Sequence, residues 1–202
     1  RVYEEHTIEE RLAHDIIAFC RERGWYIQSY TGGCLRYVEP CDESRFYENS
    51  QKLAGQAVGW NGLFAHAAGN CKLLLVTQGG AVTPERADAL MEAFGAQIDV
   101  SRSTDRLIEI VPKGISKASA LVSLAAKLGV AVEETMAIGD AYNDLAMLRA
   151  AGKSIAMGNA FPEIKDVTDY ETLTCEENGL AAAIYRYVLG MGADAPVPMA
   201  GG

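Results

Sequence analysis

"AIGDAYNDLAML", residues 137–148, crowds two carboxylates and an amide around one predicted strand-to-helix turn. The apolar run through Ile138 ends at Gly139–Asp140. Asn143–Asp144 then open a helix that continues with Leu145, Met147 and Leu148. A turn of this composition can hold a hydrated metal ion or a phosphate, yet it contains no obvious nucleophile. Outward from it the same rhythm repeats. Ser116 caps a helix over Lys117–Leu128 that Gly129 closes, and "TMAIG" follows as a strand. A helix over 143–151, a strand at "SIAMG", a short helix over 162–168, a strand at "ETLT" and a helix over 179–189 complete the series. Strict alternation of short apolar strands with helices predicts a parallel, right-handed α/β sheet.

Before Pro112 the pattern differs. Thr7-Ile8-Glu9-Glu10 has capping-box spacing, and Ile8, Leu12, Ile16 and Phe19 recur at helical intervals up to Gly24. "WYIQSY" and "CLRYVE" predict a hairpin around "TGG". Residues 44–57 read as a weak helix and 58–70 as loop, and "CKLLLVT" as a buried strand. Thr83-Pro84-Glu85 starts a helix that runs to Gly95. "AQIDVSRS" and "RLIEIVP" form two strands around a turn near Thr104–Asp105. Residues 1–112 therefore predict an α+β layer with a largely antiparallel sheet, residues 113–189 the parallel unit, and residues 190–202, rich in Gly, Ala and Pro, a flexible tail.

Apolar residues make up 49% of the 202 and charged residues 22%, an ordinary balance for a globular protein. The net charge of −9 argues against a nucleic-acid or anionic-membrane surface, and no apolar run approaches bilayer length. It leaves room for phosphorylated small molecules, whose charge one lysine, a metal ion or a helix N-terminus can meet locally. Five dispersed cysteines without a C-x-x-C pair predict reduced, mostly buried thiols of a cytoplasmic protein.

Ligands of open parallel sheets bind outside the carboxyl ends of the strands. Asp140 lies just past "TMAIG", Asn159 just past "SIAMG", and Lys117 opens the helix before the first of them. Singly, each has a structural explanation: a Gly-Asp turn, a cap, a solvated lysine. Together, a carboxylate pair suits Mg²⁺ and a lysine offsets phosphate charge, a set that fits phosphoryl transfer.

"GISKASAL", "MAIGDAYNDLAMLRAAG", "SIAMGNAFPEIKDVTDY" and "ENGLAAAI", in that order over about residues 112–189, resemble the C-terminal half of haloacid-dehalogenase (HAD) superfamily phosphatases, most nearly the Cof-like sugar-phosphate branch. Residues 1–112 are similar to that branch's α+β cap. The resemblance implies a Rossmannoid half-core plus cap, and a Mg²⁺-dependent phosphatase of small phosphorylated metabolites. By position, Lys117 would steady phosphate and nucleophile, Asp140 would ligate Mg²⁺, Asp144 would support the metal's waters and the lysine, and Asn143 would touch the phosphate. Cap residues would set selectivity, with Tyr26, Tyr30, Arg36 and Tyr37 of the hairpin as candidates. The family's attacking aspartate, which forms an aspartyl-phosphate, belongs to a D-x-D-x-T run, and no D-x-D occurs in these residues. The expectation is that the nucleophile lies outside this chain, in a separate N-terminal piece or a missing segment. The chain alone would then be inactive and its sheet left with uncovered apolar edges. "RERGWYIQSYTGG" imitates the family's second motif, but its place before "CLRYVE" assigns Thr31 to the cap hairpin. The alternative is a non-catalytic phosphate-binding or regulatory module on the same scaffold.

Overall fold

Leu73, Leu74, Leu75 and Val76 are all fully buried, so this half of the strand has no solvent-facing side. They belong to β4 (Asn70–Val76) of the computed structural model, which describes residues 4–191. Successive side chains point to opposite faces of a strand. Leu73 and Leu75 accordingly join one apolar cluster, and Leu74 and Val76 another. A strand buried on both faces needs cover on each. α1 (Glu10–Glu22) and α4 (Val82–Phe94) supply it on one side with Leu12, Ile16, Ile17 and Leu90, and α2 (Asp42–Gln51) on the other with Tyr47.

β1 (Gln28–Thr31) and β6 (Leu107–Pro112) flank β4 in antiparallel pairing. β2 (Cys34–Tyr37) and β5 (Ile98–Arg102) extend the sheet outward, and the two-residue β3 (Gln56–Ala57) adds parallel to β2. The hairpin expected around "TGG" is β1–β2, with Gly32 and Gly33 both at positive φ. Residues 58–70, expected as loop, contain a seven-residue helix, α3 (Gly59–Ala65). Trp60, Leu63, Phe64 and Ala67 all pack on the α1 cluster from that stretch, and their burial outweighs the poor helix propensity of its glycines.

Two predicted caps move. The N-cap of α1 is Glu9 rather than Thr7: its carboxylate accepts from the amides of Arg11 and Leu12 at 3.0 and 2.9 Å, which lowers its pKa. Thr83 lies inside α4, where its hydroxyl donates to the Asp105 carbonyl and bonds Thr77 Oγ1. A tertiary partner has replaced the local cap. The cysteines also differ from expectation: only Cys20 is buried, which pushes its thiol up to about 12, whereas Cys34 and Cys41 are half-buried and Cys71 and Cys175 exposed.

The chain divides into two compact units, Arg1–Ile115 and Ser116–Gly202. In the second, α5 (Lys117–Leu128) begins after Ser116 and ends at Gly129, in the left-handed conformation at φ +69°. β7 (Met136–Gly139), α6 (Leu145–Ala150), β8 (Lys153–Ala156), α7 (Pro162–Lys165) and β9 (Tyr170–Glu171) follow in alternation, with α8 (Gly179–Tyr187) last. The sheet order is β7-β8-β9, all parallel, over a cluster of Ala137, Leu148, Ala156, Ala160 and Ile164. The strand expected at "ETLT" is shorter and earlier, ending at Glu171, and by Thr174 the chain turns, its carbonyl accepting from the Gly179 amide. Among the described residues β7 pairs with β8 alone, and α5 and α8 leave Leu124, Leu128, Leu180 and Ile184 exposed. No helix among the described residues is long and apolar enough to cross a membrane. Most of the expected tail, residues 192–202, lies outside the described residues.

Both tryptophans, Trp25 and Trp60, lie in the first unit, so their fluorescence reads its unfolding. In urea, Leu75→Ala is expected to cost this unit about 2–5 kcal/mol by cavity formation. Leu53→Ala, at an exposed position, is expected to change it by under about 0.5 kcal/mol. Equal effects of the two would contradict the assignment of β4 to the core.

Candidate active site

Where β7 ends at Gly139, the chain makes a single 3-10 turn, Tyr142–Asp144, before α6. Asp144 is 5% exposed, and a carboxylate so placed needs donors to offset its lost hydration. It has three. Oδ2 accepts from the backbone amides of Asp140 and Ala141 at 3.1 and 3.2 Å, and Oδ1 accepts from Lys117 Nζ at 2.5 Å. Gly139 makes room for this arrangement: a Cβ there would sit 2.5 Å from Asp144 Cβ and 2.9 Å from its Oδ2. Lys117 is the first residue of α5, a position where the helix dipole disfavours a cation. Asp144 offsets that cost. The Ser116 hydroxyl, which accepts from the Ser119 amide at 3.1 Å, fixes where the helix and hence the lysine begins.

Asp140 is exposed. Its Oδ2 accepts from Asn159 Nδ2 at 3.1 Å, and Asn159 Oδ1 in turn accepts from the Cys175 amide at 3.0 Å. The Asp140 carbonyl accepts from the Phe161 amide at 3.2 Å, and Phe161 stacks on Tyr142 at 4.9 Å. The ends of β7 and β8 and the 174–178 turn thus converge on one carboxylate. Asn143, within the Tyr142–Asp144 turn, has a buried Oδ1 that has no hydrogen-bond partner among the described residues. Buried polar atoms are rarely left so, and an oxygen of this kind beside a carboxylate suits a bound cation or a donor group.

The residues anticipated from the sequence, Lys117, Asp140, Asn143, Asp144 and Asn159, therefore lie in one hydrogen-bonded neighbourhood or directly beside it. Two supports were not anticipated. Ser154 on β8 donates through both its amide and its hydroxyl to Asp169 Oδ2 at 2.8 Å, and Lys165 Nζ reaches the Gly158 carbonyl at 2.7 Å and Glu171 at 2.6 Å. The available signal was a serine inside an otherwise apolar strand, which needs a partner when buried.

The oxygen donors suit Mg²⁺, which prefers octahedral oxygen ligation, keeps several waters and takes one or two carboxylates together with substrate phosphates. Asp140, with a carboxylate open to solvent, fits that part. Both Asp144 oxygens already accept hydrogen bonds, so it serves as the anchor of the turn. Among the described residues no group of three or more His, Cys, Asp or Glu side chains is arranged to hold a metal unaided.

In the first unit Thr31 donates to Asn70 Oδ1 at 2.8 Å, within the hairpin region. Tyr26, Tyr30 and Tyr37 donate to Gln28, Tyr47 and Glu48, and burial raises the pKa of each phenol. Arg36 donates to the Thr31 carbonyl at 2.7 Å. These four side chains are engaged in the packing of their own unit.

Residues 1–184 match the haloacid dehalogenase-like hydrolase family. The chain belongs to that family. It is 29% identical to the phosphatase YwpJ of Bacillus subtilis over 204 aligned residues, covering 90% of this chain and 72% of YwpJ. It is 43% identical over 93 residues to the B. subtilis 5-amino-6-(5-phospho-D-ribitylamino)uracil phosphatase YcsE, which covers 46% of this chain and 37% of that protein. A haloacid dehalogenase-like hydrolase from Bacteroides thetaiotaomicron superposes with a TM-score of 0.76 at 32% identity, covering 92% of this chain and 69% of that one. The chain spans little more than a third of the length of the first curated relatives it matches. The mixed α/β architecture, with its parallel second sheet, is that of HAD-like structures.

Gly139→Ala is expected to push Asp144 off its amide donors and to destabilise the second unit by about 1–3 kcal/mol, read as a lowered melting temperature; an unchanged value would show that the turn yields freely. A pH test concerns Asp169. Its bonds to the Ser154 amide and then hydroxyl hold its pKa below the ordinary carboxylate value. The stability it contributes is therefore present above that ordinary value and is lost as pH falls through the lowered one. Asp169→Asn should flatten the acid limb of unfolding in that range, and an acid limb identical to the parent's would contradict a stabilising role for the Ser154–Asp169 bonds.

Proposed function

We propose that these residues are part of a Mg²⁺-dependent phosphatase of small phosphorylated metabolites, of the sugar-phosphate type. The observation that carries this is the Lys117–Asp144 pair, locked into a turn that leaves Asp140 open at the carboxyl end of β7. Two relatives named as phosphatases, one of them aligned over 90% of this chain, support it.

On this reading Asp144 positions the Lys117 ammonium, which offsets the negative charge of a phosphate and of an attacking carboxylate. Asp140 would hold Mg²⁺, and Asn143 would turn its amide Nδ2–H toward the phosphate. When bound, Mg²⁺ supplies further neutralisation of the phosphate's charge. Asn159 keeps the Asp140 carboxylate oriented. The attacking aspartate is the family's D-x-D-x-T residue, carried on a segment outside these 202 residues. The unpaired side of β7, next to Asp140, and the exposed apolar residues of α5 and α8 favour a further strand and its cover there. Residues 1–112 act as the cap that sets selectivity, residues 113–189 as half of the catalytic core, and the location is cytoplasmic. The present chain alone is then inactive. The lack of any D-x-D in the sequence favours a second reading, a phosphate-binding or regulatory module without turnover.

The test is hydrolysis of p-nitrophenyl phosphate by the full-length gene product with Mg²⁺. Turnover is expected, with loss on chelation, and Asp140→Ala and Lys117→Ala should each lower kcat by at least about 100-fold. Near-normal turnover of either variant would overturn the role given to that residue. Phosphate binding without hydrolysis by the full-length product would establish the second reading instead.

A further inference from the structure

Within the first unit, and independent of the phosphatase reading, a cavity of about 240 Å³ opens where β1 begins and β2 and β4 end. Its walls are aromatic, from Trp25, Tyr26 and Trp60, so both tryptophans of the chain line it. Its charged lining groups are Arg86, Glu39 and Glu43. Pockets for drug-sized ligands span about 300–1,000 Å³, so this space suits a smaller molecule.

The unusual group is Arg86. It is half-buried and lies 5.1 Å over the Trp25 ring, and it makes no hydrogen bond or ion pair with any described residue. Burial pulls its pKa below the ordinary guanidinium value, with Cys20 and then Glu43 partly opposing that shift. A guanidinium has five donors in a planar fork that matches a carboxylate. These donors face the cavity with no protein partner, and a carboxylate-bearing ligand would use them. The two rim carboxylates argue against a phosphate dianion, which they would repel. They also supply what a guanidinium cannot, acceptors for a cationic group. Glu43 already accepts from Gln78 Nε2 at 3.1 Å, which holds it in place with a second oxygen to spare. Arg86 in turn would repel a simple amine. Only a ligand with both charges and an apolar body satisfies all the walls.

We infer that this cavity binds a free α-amino acid with an apolar or aromatic side chain, its carboxylate on Arg86, its ammonium between Glu39 and Glu43, and its side chain against Trp25 and Trp60.

Intrinsic fluorescence of the 202-residue chain reads the site directly, because both tryptophans line it. Titration with L-phenylalanine and L-leucine is expected to saturate for at least one of them with a Kd of about 1 mM or tighter. Hydrocinnamate, which lacks the ammonium, and phenethylamine, which lacks the carboxylate, should each bind at least about tenfold more weakly than L-phenylalanine. Arg86→Gln should abolish binding. Glu39→Gln with Glu43→Gln should weaken L-phenylalanine while leaving hydrocinnamate unchanged or tighter, a pattern that misfolding cannot produce. No saturation by either amino acid, or equal binding of phenethylamine, or undiminished binding by Arg86→Gln, would overturn the inference.

Discussion

A single buried carboxylate organises the second unit. Asp144 is removed from water at the end of a short parallel strand, and an ionised group in that position is tolerated only when its oxygens are met by donors. The requirement reaches in three directions. It bends residues 140–144 into a turn whose amides point inward, it excludes a side chain at Gly139, and it draws the first residue of α5 over the strand end. Each consequence involves a different stretch of chain, yet all follow from placing one negative charge at one depth. The exposed Asp140 has its backbone fixed as a by-product, because its own amide is tied to Asp144, while Asn159 holds its carboxylate.

The first unit is governed by a different constraint. β4 is apolar on both faces, so the sheet must be covered by helices on either side. The few polar groups that share this interior are satisfied by side chains from distant segments. Asn70 is fully buried, donates to the carbonyls of His66 and Ala67, and accepts from Thr31, which joins the end of α3 to the β1–β2 hairpin. Thr77 and Thr83 do the same between the end of β4, the start of α4 and the turn at Asp105. Such networks make the unit specific where hydrophobic burial alone would make it merely compact.

The two units illustrate how scaffold and chemistry separate. The family assignment rests on residues 1–184, drawn from both units, whereas the groups proposed for phosphate chemistry occupy one end of one small sheet. A fold hosts many functions, and the site must carry the functional argument. Here the site is strong in what it holds, an anchored lysine, an oriented carboxylate and an amide with a free oxygen. The aromatic cavity of the first unit shows the same logic applied to a different charge pattern.

What could be read from the sequence was whatever depends on local pattern. The apolar run "CKLLLVT", the alternation after Pro112, the Ser116 cap and the left-handed Gly129 are all set by neighbours within a few residues, and the structure follows them. The family motifs likewise placed Lys117, Asp140, Asn143 and Asp144 as one group, because motif spacing records a tertiary relation in linear form. What only the tertiary structure decided depends on partners far along the chain. Thr83 left its cap for Asp105, residues 59–65 became helical because Leu63 and its neighbours had a core to enter, and Ser154 found Asp169 across fifteen residues. Local propensities differ by about 1 kcal/mol or less, and one buried side chain or one satisfied buried polar atom is worth as much or more, so the distant partner prevails.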